Sequence, residues 1–396
     1  MSQLSHIAFK VGFFFRSFHY RYIFMPRRIR EIRAKDKIRV AFIVRSLAAW
    51  KTESLYRAML SHPRFEPLLI IGQSDENDDF DLLKDYCDRH GYAYDILHHS
   101  DPQNIRESHH PDIIFYQKPY CDEFADNLDS LFCYATYSLH ASTKKRACST
   151  RLLRTCWQVY YENDKLAKFY SKRRGVNNGL PTGLPTIDEL MTPSDRIPDP
   201  WPESQGKKRI IYAPHHSVNP EIWWQTATFL EHGELMLELA EKYSDKVEWV
   251  FKPHPVLRGK LEKIWGKEKT DAYYARWADA PWSSYENGEY LGLFKHSDAM
   301  IHDCGSFIEE YLATGNPVMY LIREKEVENP WNETFKKAYD LHYKGRTRED
   351  IEKFISDVIE GRDPRKEERI EFFNSNLVPP GGKSAVENII AAILGD

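Results

Sequence analysis

From residue 38 onward, short runs of hydrophobic residues alternate with stretches in which apolar residues recur every three or four positions. The runs predict strands at residues 38–44, 67–72, 94–97, 112–117, 132–139 and 157–161. Helices are predicted between them at residues 53–61, 80–90 and 163–173. Strands that alternate with helices in this way favour a parallel sheet covered by helices on both faces.

The same alternation begins again after a segment rich in proline. Pro193, Pro198, Pro200 and Pro202 lie close together, as is typical of a linker. Beyond them we predict strands at 209–213, 247–252, 299–302 and 317–321, helices at 226–243, 257–265, 290–296 and 306–314, and a helical tail over 349–394. The expected fold is therefore α/β, with two Rossmann-like domains at residues 37–192 and 203–396 that face a cleft at the carboxyl ends of their strands.

Residues 1–36 form a third region with a different pattern. Hydrophobic residues recur there at helical spacing on one face: Ile7, Val11, Phe14, Phe15, Phe18 and Tyr22. Residues 1–45 carry eleven Lys or Arg against two acidic residues, although the net charge of the chain is −4. We expect a basic amphipathic helix on an anionic membrane surface. The alternative is a helix packed on the protein's own body, and without a recognisable motif we expect no nucleic-acid partner.

Length and composition exclude several classes of protein. A chain of 396 residues with 42% hydrophobic residues is large enough for two domains with sizeable cores. Its six cysteines contain no CxxC pair, which argues against a zinc ribbon and fits a reducing cytosol. The chain has no Walker loop and no GxGxxG fingerprint, so an ATPase or a dehydrogenase would lack its phosphate-binding loop. We interpret the acidic stretch at residues 75–81 as a solvated loop and expect no metal or other cofactor.

Three segments place polar residues directly after a predicted strand, where α/β domains bind their ligands. They are Tyr212–His216, Phe251–Pro255 and Ser297–Val318. Lys252 and His254 alternate with prolines that stiffen their loop. In the third segment a helix begins, and its free N–H groups favour a phosphate, although an ordinary cap by Asp303 or Ser306 is the alternative interpretation. The pattern therefore favours an anion site in the second domain.

Together these segments resemble the CDP-glycerol glycerophosphotransferase family, whose members make teichoic acids and phosphodiester-linked capsules. The family's Tyr-Ala-Pro, Lys-x-His-Pro and Asp-x-Ser-Ser segments, the last leading to Gly-x-Pro, are similar to Tyr212–Pro214, Lys252–Pro255 and Asp303–Pro317. Its Thr-Gly-x-Pro-x-x-Asp turn is similar to Thr182–Asp188. The resemblance covers residues 130–322 and implies a GT-B fold, which has two Rossmann-like domains around a cleft.

The resemblance also implies the residues of the site. The family's catalytic histidine corresponds to His140, which we expect to act as general base, with a structural histidine as the alternative. His254 is expected to assist catalysis at the phosphates of the donor. The other expected donor-binding residues are Lys252, His215, His216, Asp303, Gly305, Ser306, Phe307 and Glu310. This chain lacks the arginine that the family carries at position 217, which leaves the identity of the donor open.

The activity implied is transfer of a polyol phosphate, most simply glycerol phosphate, from a CDP-activated donor to a lipid-linked saccharide acceptor, with release of CMP. The basic run at residues 144–154 and the basic head predict a cytoplasmic enzyme bound to the inner face of a bacterial cell membrane. One alternative is a GT-B glycosyltransferase that uses a nucleotide-sugar donor. The other is a binding protein without catalytic activity.

Overall fold

The computed structural model describes residues 20–47, 49–72, 80–97, 108–116, 118–119, 130–202, 206–218, 227–288, 290–323 and 330–396, apart from the side chains of residues 145 and 146. The chain forms two compact units, residues 1–188 with 379–396 and residues 189–378. Each unit contains one parallel β-sheet accompanied by helices. This is the α/β architecture that the alternation of strands and helices predicts.

The first unit contains a seven-stranded parallel sheet in the order β3-β2-β1-β4-β5-β6-β7. Its strands are β1 Ile38–Val44, β2 Phe65–Gly72, β3 Tyr94–Leu97, β4 Ile113–Tyr116, β5 Leu131–Tyr134, β6 Gln158–Tyr161 and β7 Gly179–Pro181. Strands β4, β5 and β6 are buried along their whole length. Burial on both faces explains why their sequences are continuous runs rather than alternating patterns.

Helices of the first unit are α1 Met25–Ala34, α2 Glu53–Ser61, α3 Phe80–His90, α4 Lys145–Cys148, α5 Arg151–Thr155 and α6 Asp164–Arg174. Helix α1 precedes β1, and the helices numbered α2 to α6 follow strands of the sheet. Helix α6 begins after Asn163, whose side chain accepts the N–H of Leu166 at 3.0 Å, and it ends at Gly175 in the left-handed region. The Asn163 cap and Gly175 thus define the two ends of the helix that follows β6.

The second part of the predicted N-terminal head packs on the first unit. Residues 20–24 form a π-helical turn, and Ile32 in α1 is fully buried. Arg28 and Lys35 each lie 2.6 Å from the buried carboxylate of Asp112. The described part of the head therefore agrees with the alternative interpretation, a helix that packs on the protein's own body. Residues 1–19 lie outside the described residues, so the membrane-surface helix stays a prediction.

The second unit contains a six-stranded parallel sheet in the order β10-β9-β8-β11-β12-β13. Its strands are β8 Lys208–Ala213, β9 Val247–Phe251, β10 Ser283–Tyr285, β11 Ala299–His302, β12 Val318–Leu321 and β13 Tyr343–Gly345. Helix α7 Pro185–Met191 crosses the boundary between the units. The helices that follow are α8 Phe229–Lys242, α9 Leu257–Trp265, α10 Lys267–Ala278, α11 Leu291–Lys295, α12 Phe307–Glu310, α13 Glu333–Asp340, α14 Arg348–Ile359 and α15 Lys366–Asn376.

Large aromatic side chains fill the core of the second unit. Phe251 stacks on Trp277 with ring centroids 5.1 Å apart, and Tyr212 lies 5.7 Å from Phe251. All three side chains are fully buried. Their burial anchors the ends of β8 and β9, which carry two of the segments that the sequence analysis singled out.

The last helix, α16 Ala385–Leu394, belongs to the first unit. The carboxylate of Asp188 accepts the N–H groups of Ala385 and Val386 at 2.8 and 2.9 Å, and Arg33 donates to the carbonyl of Ile393 at 3.1 Å. These bonds satisfy both ends of the helix. The structure therefore differs from the predicted domain of residues 203–396, because its tail returns after Pro379. Among the described residues, no helix is both long and apolar enough to cross a membrane.

Candidate active site

His140 and Glu162 come together beyond the neighbouring strands β5 and β6. Nδ1 of His140 lies 3.0 Å from Oε2 and 3.2 Å from Oε1 of Glu162, and the backbone N–H of His140 donates to Oε1 at 2.7 Å. The Glu162 side chain is fully buried, whereas the imidazole keeps 13% of its surface exposed. Because a carboxylate only accepts, the ring proton lies on Nδ1, and the lone pair of the neutral ring lies on Nε2.

Aromatic rings hold the imidazole in place. Tyr161 and Tyr170 have ring centroids 4.2 and 5.4 Å from that of His140, and the Tyr170 hydroxyl donates to the carbonyl of Ser142 at 3.1 Å. The buried guanidinium of Arg174 donates in turn to the Tyr161 hydroxyl. A base fixed in this way loses little freedom when it meets its substrate, which suits proton transfer.

Glu162 was not among the site residues predicted from the sequence. Burial alone raises the pKa of this carboxyl, but the charge and hydrogen bonds of His140 outweigh burial and hold the pKa below its ordinary value. It is therefore ionised at neutral pH. The available signal was its position directly after the fully buried strand β6, where an acidic side chain needs a partner.

In the second unit, Asp303 links two loops. Its Oδ1 accepts the backbone N–H of His215, and its Oδ2 accepts both the N–H and the hydroxyl of Thr228 at 2.5 and 2.8 Å. Burial raises the pKa of Asp303 to about 6, although the same hydrogen bonds oppose the shift. All these hydrogen-bond partners are groups of the protein itself. Asp303 therefore connects the loop after β11 to the loop after β8.

His215, His216 and His254 form one cluster beyond strands β8 and β9. The ring centroid of His216 lies 4.3 Å from that of His215 and 4.2 Å from that of His254. The backbone N–H of His254 donates to the carbonyl of Pro214 at 2.9 Å, so the two loops run side by side. The sequence predicted all three histidines as site residues, and the structure brings them together.

A lysine joins this cluster from helix α9. Nζ of Lys260 lies 2.7 Å from Nδ1 of His216. Burial, followed by the charges of His216, His254 and Lys260, lowers the pKa of His215 well below its ordinary value, which keeps that ring neutral at pH 7. Lys260 was not predicted as a site residue, because it lies five residues beyond Pro255 on a helix that also carries Arg258 and Lys263.

Two of the remaining predicted donor residues, Lys252 and Glu310, are buried. Lys252 is 7% exposed, and its ammonium donates to the carbonyl of Gly288 at 2.7 Å. Glu310 is 1% exposed and lies beside Tyr290, whose pKa is raised by burial and by this carboxylate. Phe307 packs against Phe294 with ring centroids 5.0 Å apart. Their contacts with a donor stay predictions.

The helix predicted over residues 306–314 is shorter in the structure. Helix α12 spans only Phe307–Glu310 and continues as a 3₁₀ turn over Tyr311–Thr314, and the Ser306 side chain makes no capping hydrogen bond. One turn has a small dipole, so this helix start alone does not make a strong anion site. A side chain at Gly305 would meet no atom within 4 Å, so packing within the protein does not require glycine there.

Residues 136–395 match the family of CDP-glycerol:poly(glycerophosphate) glycerophosphotransferases, which is more than half of the chain. The chain belongs to this family. The enzyme is therefore a transferase whose donor is CDP-glycerol, the donor that the resemblance favoured and that the missing arginine at position 217 had left open. A comparison with curated proteins finds no match.

Solved structures share the architecture of this glycerophosphotransferase. A form of the wall teichoic acid polymerase TagF with a histidine-to-asparagine substitution, soaked with CDPG, superposes with a TM-score of 0.63 at 13% identity, over 96% of this chain and 97% of that one. MnaA of S. aureus with UDP gives 0.59 at 14% identity, and a putative UDP-N-acetylglucosamine 2-epimerase from Listeria monocytogenes gives 0.57 at 16%. Both cover 90% of this chain and 96% of their own. These likenesses confirm the predicted GT-B-like fold.

Proposed function

We propose that this glycerophosphotransferase moves glycerol phosphate from CDP-glycerol to a hydroxyl group of a lipid-linked glycan of teichoic-acid or capsule type. The observation that carries the proposal is the pair of His140 and Glu162. The pair has the geometry of a general base whose orientation is fixed by a buried carboxylate.

In the proposed reaction the acceptor oxygen attacks the phosphorus nearer the glycerol. The new O–P bond forms as the bond to the bridging oxygen breaks, and CMP leaves with that oxygen. Nε2 of His140 takes the hydroxyl proton, and Glu162 stabilises the imidazolium that results. Such a transfer depends mainly on positioning and on compensation of charge.

We assign the donor to the second unit. His215, His216 and His254 offer imidazole groups to the diphosphate. His254 also stabilises the charge that grows on the departing CMP. Gly305 supports the assignment, since it leaves open space next to Ser306 where a ligand can approach the backbone.

The acceptor is proposed to be presented at an anionic membrane surface on the cytoplasmic side. Tyr22 and Ile23 are 64% and 56% exposed, and Arg30 on α1 is exposed near them in sequence. Arg151 and Arg154 on α5 follow His140 in the chain. Exposed aromatic and apolar residues beside arginines favour binding to anionic lipid headgroups.

The catalytic part is tested by measuring the nucleotide product. With CDP-glycerol and a lipid-linked acceptor, the full chain should release CMP, and His140→Gln should abolish most of this release. UDP release from UDP-N-acetylglucosamine without CMP release from CDP-glycerol would instead indicate a glycosyltransferase. Nucleotide binding that persists with no turnover of any donor would indicate a binding protein.

Vesicle flotation tests the membrane part separately. The full chain should float with vesicles of phosphatidylglycerol but not with vesicles of phosphatidylcholine, and 0.5 M salt should reduce the floated fraction because it screens the arginines. The double variant Ile23→Asp, Arg30→Glu should lose flotation, whereas Ile264→Asp, at an exposed position of the second unit, should not. Equal flotation of both variants would overturn the membrane proposal and leave the chemistry untouched.

A further inference from the structure

The three histidines of the second unit lie close enough to suggest a metal site. One ring nitrogen from each of His215, His216 and His254 can be chosen so that all three lie within 4.8 Å of one another. Three imidazoles at this spacing can hold Zn²⁺ or another divalent ion when each offers a lone pair to the centre. The hydrogen bonds at the opposite nitrogens decide whether they do.

In each ring, Nδ1 faces a hydrogen-bond donor. Nδ1 of His254 accepts the N–H of Val256 at 3.2 Å, and Nδ1 of His215 accepts the N–H of Ser217 at 3.2 Å. The Ser217 hydroxyl also lies 3.0 Å from Nδ1 of His215, and its oxygen accepts the N–H of Ala227.

The third ring has a charged donor. The ammonium of Lys260 can only donate, so Nδ1 of His216 accepts at 2.7 Å. A ring that accepts at Nδ1 carries its proton on Nε2 when it is neutral. All three rings of the cluster therefore have an N–H group at Nε2 rather than a lone pair.

The hydrogen-bond partners at Nδ1 are opposite in kind to those found at a metal site. A histidine that binds a metal through one nitrogen donates the N–H of the other to an oxygen acceptor. Here two backbone N–H groups and an ammonium occupy that place, and Lys260 adds a positive charge that opposes a cation. Several N–H donors beside an ammonium are instead complementary to a phosphate.

We propose that Lys260 provides the fixed positive charge at the diphosphate site that the proposed function assigns to His215, His216 and His254. The inference rests on the proposed function for the location of the donor and extends it to a residue outside the family motifs. It also accounts for the missing arginine at position 217, since Lys260 brings a cation to the same loop.

Calorimetry with three probes tests the site on the full-length protein. CDP should bind, and Lys260→Met should weaken it about tenfold or more, since a charge-assisted contact to phosphate is lost. Lys263→Met, an exposed lysine on the same helix, should leave the affinity for CDP unchanged, and cytidine should bind both variants equally weakly. Titration of ZnCl₂ should give no heat that depends on His216.

The protons exchanged on binding give a second measurement. CDP is proposed to be bound by N–H groups that the neutral rings already carry, so its binding at pH 7.5 should release no protons, which is read from the dependence of the heat on the buffer. Metal binding releases protons instead. Unchanged CDP affinity in Lys260→Met, or Zn²⁺ binding that His216→Gln abolishes, would overturn the inference.

The outcomes also separate this inference from the proposed function. CDP binding that depends on Lys260 in a protein without CMP release would leave the diphosphate site standing and reject the transferase proposal. CMP release that is unaffected by Lys260→Met would leave the transferase proposal standing and reject the diphosphate site that includes Lys260. Melting curves of each variant confirm that the protein is folded before affinity is compared.

Discussion

Histidines occur in both candidate regions of this enzyme, but their hydrogen-bond partners are opposite in kind. In the first unit, Nδ1 of His140 faces the buried carboxylate of Glu162. In the second unit, Nδ1 of His216 faces the ammonium of Lys260, and those of His215 and His254 face backbone N–H groups. The same side chain is thus a proton acceptor at Nε2 in one unit and a donor there in the other.

The comparison shows that a histidine's role is set by the group behind it. A carboxylate at Nδ1 stabilises the protonated ring, so the ring suits a base. A cation at Nδ1 opposes protonation and leaves the ring an N–H group at Nε2, which we propose binds an anion. The histidine alone does not show whether it suits a base or an anion site. The neighbouring residue does, which is Glu162 for His140 and Lys260 for His216.

The largest expected effect follows from removing the base. His140→Gln should reduce the turnover of CDP-glycerol by about 10³-fold, within the range typical of general bases, while the affinity for CDP stays unchanged. His90→Gln, an exposed histidine of the same unit, is the matched control and should keep full turnover. A loss of less than threefold in His140→Gln would remove His140 from the chemistry.

The carboxylate behind His140 should matter less than the base itself. Glu162→Gln should reduce turnover by about 10²-fold and move the acid limb of the pH–rate profile to lower pH, because a neutral amide stabilises the imidazolium less. Glu162→Asp should recover part of the activity. A residue that served only packing would leave the pH–rate profile where it is, and that result would contradict the positioning role.

Asp303→Asn should affect the second unit alone. The change leaves a buried N–H without its carboxylate, at a cost of about 1–3 kcal/mol, which corresponds to a lower melting temperature by several degrees. Affinity for CDP should fall with it. Because the pKa of Asp303 is about 6, CDP binding by the unmodified chain should weaken as the pH falls through 6, and the variant should lack this step. Equal pH profiles for both proteins would contradict this role.

The smallest effect concerns stability and pH. His215 has a lowered pKa in the folded chain, so below about pH 6.5 the unfolded chain binds a proton that the folded chain does not. Its contribution is complete above that pH and is lost as the pH falls, by at most ~1.4 kcal/mol per pH unit. Melting curves from pH 7 to 5 should therefore fall less steeply for His215→Gln. A steeper fall would contradict the neutral cluster.

Much of the fold could be predicted because the buried strands have continuous apolar sequences. The observed β1, β3 and β11 match the predicted residues, and so do helices α2, α3 and α9. The three-residue strands β7, β10 and β13 were missed, since so short a segment has no recognisable period. Helix α16 was predicted within the helical tail but was assigned to the second domain, whereas it belongs to the first unit. A sequence pattern does not show that Asp188 caps this helix.

The site was predicted unevenly for a similar reason. A family motif identified His254, whereas His140 and the His215-His216 pair were predicted from their positions at strand ends that correspond to family motifs. Glu162 and Lys260 are single charged residues among 59 acidic and 55 basic ones, and only the folded chain shows which of them contacts an imidazole. The sequence does not show which charged residue contacts a histidine from another part of the chain.

The most direct test is the protonation state of each ring nitrogen. Long-range ¹H–¹⁵N NMR spectra of histidine-labelled protein, assigned with single His→Gln variants, distinguish the two neutral forms of imidazole. At pH 7.5 we predict the Nδ1–H form for His140 and the Nε2–H form for His215, His216 and His254. The same form in both units would contradict the division of roles between base and anion site.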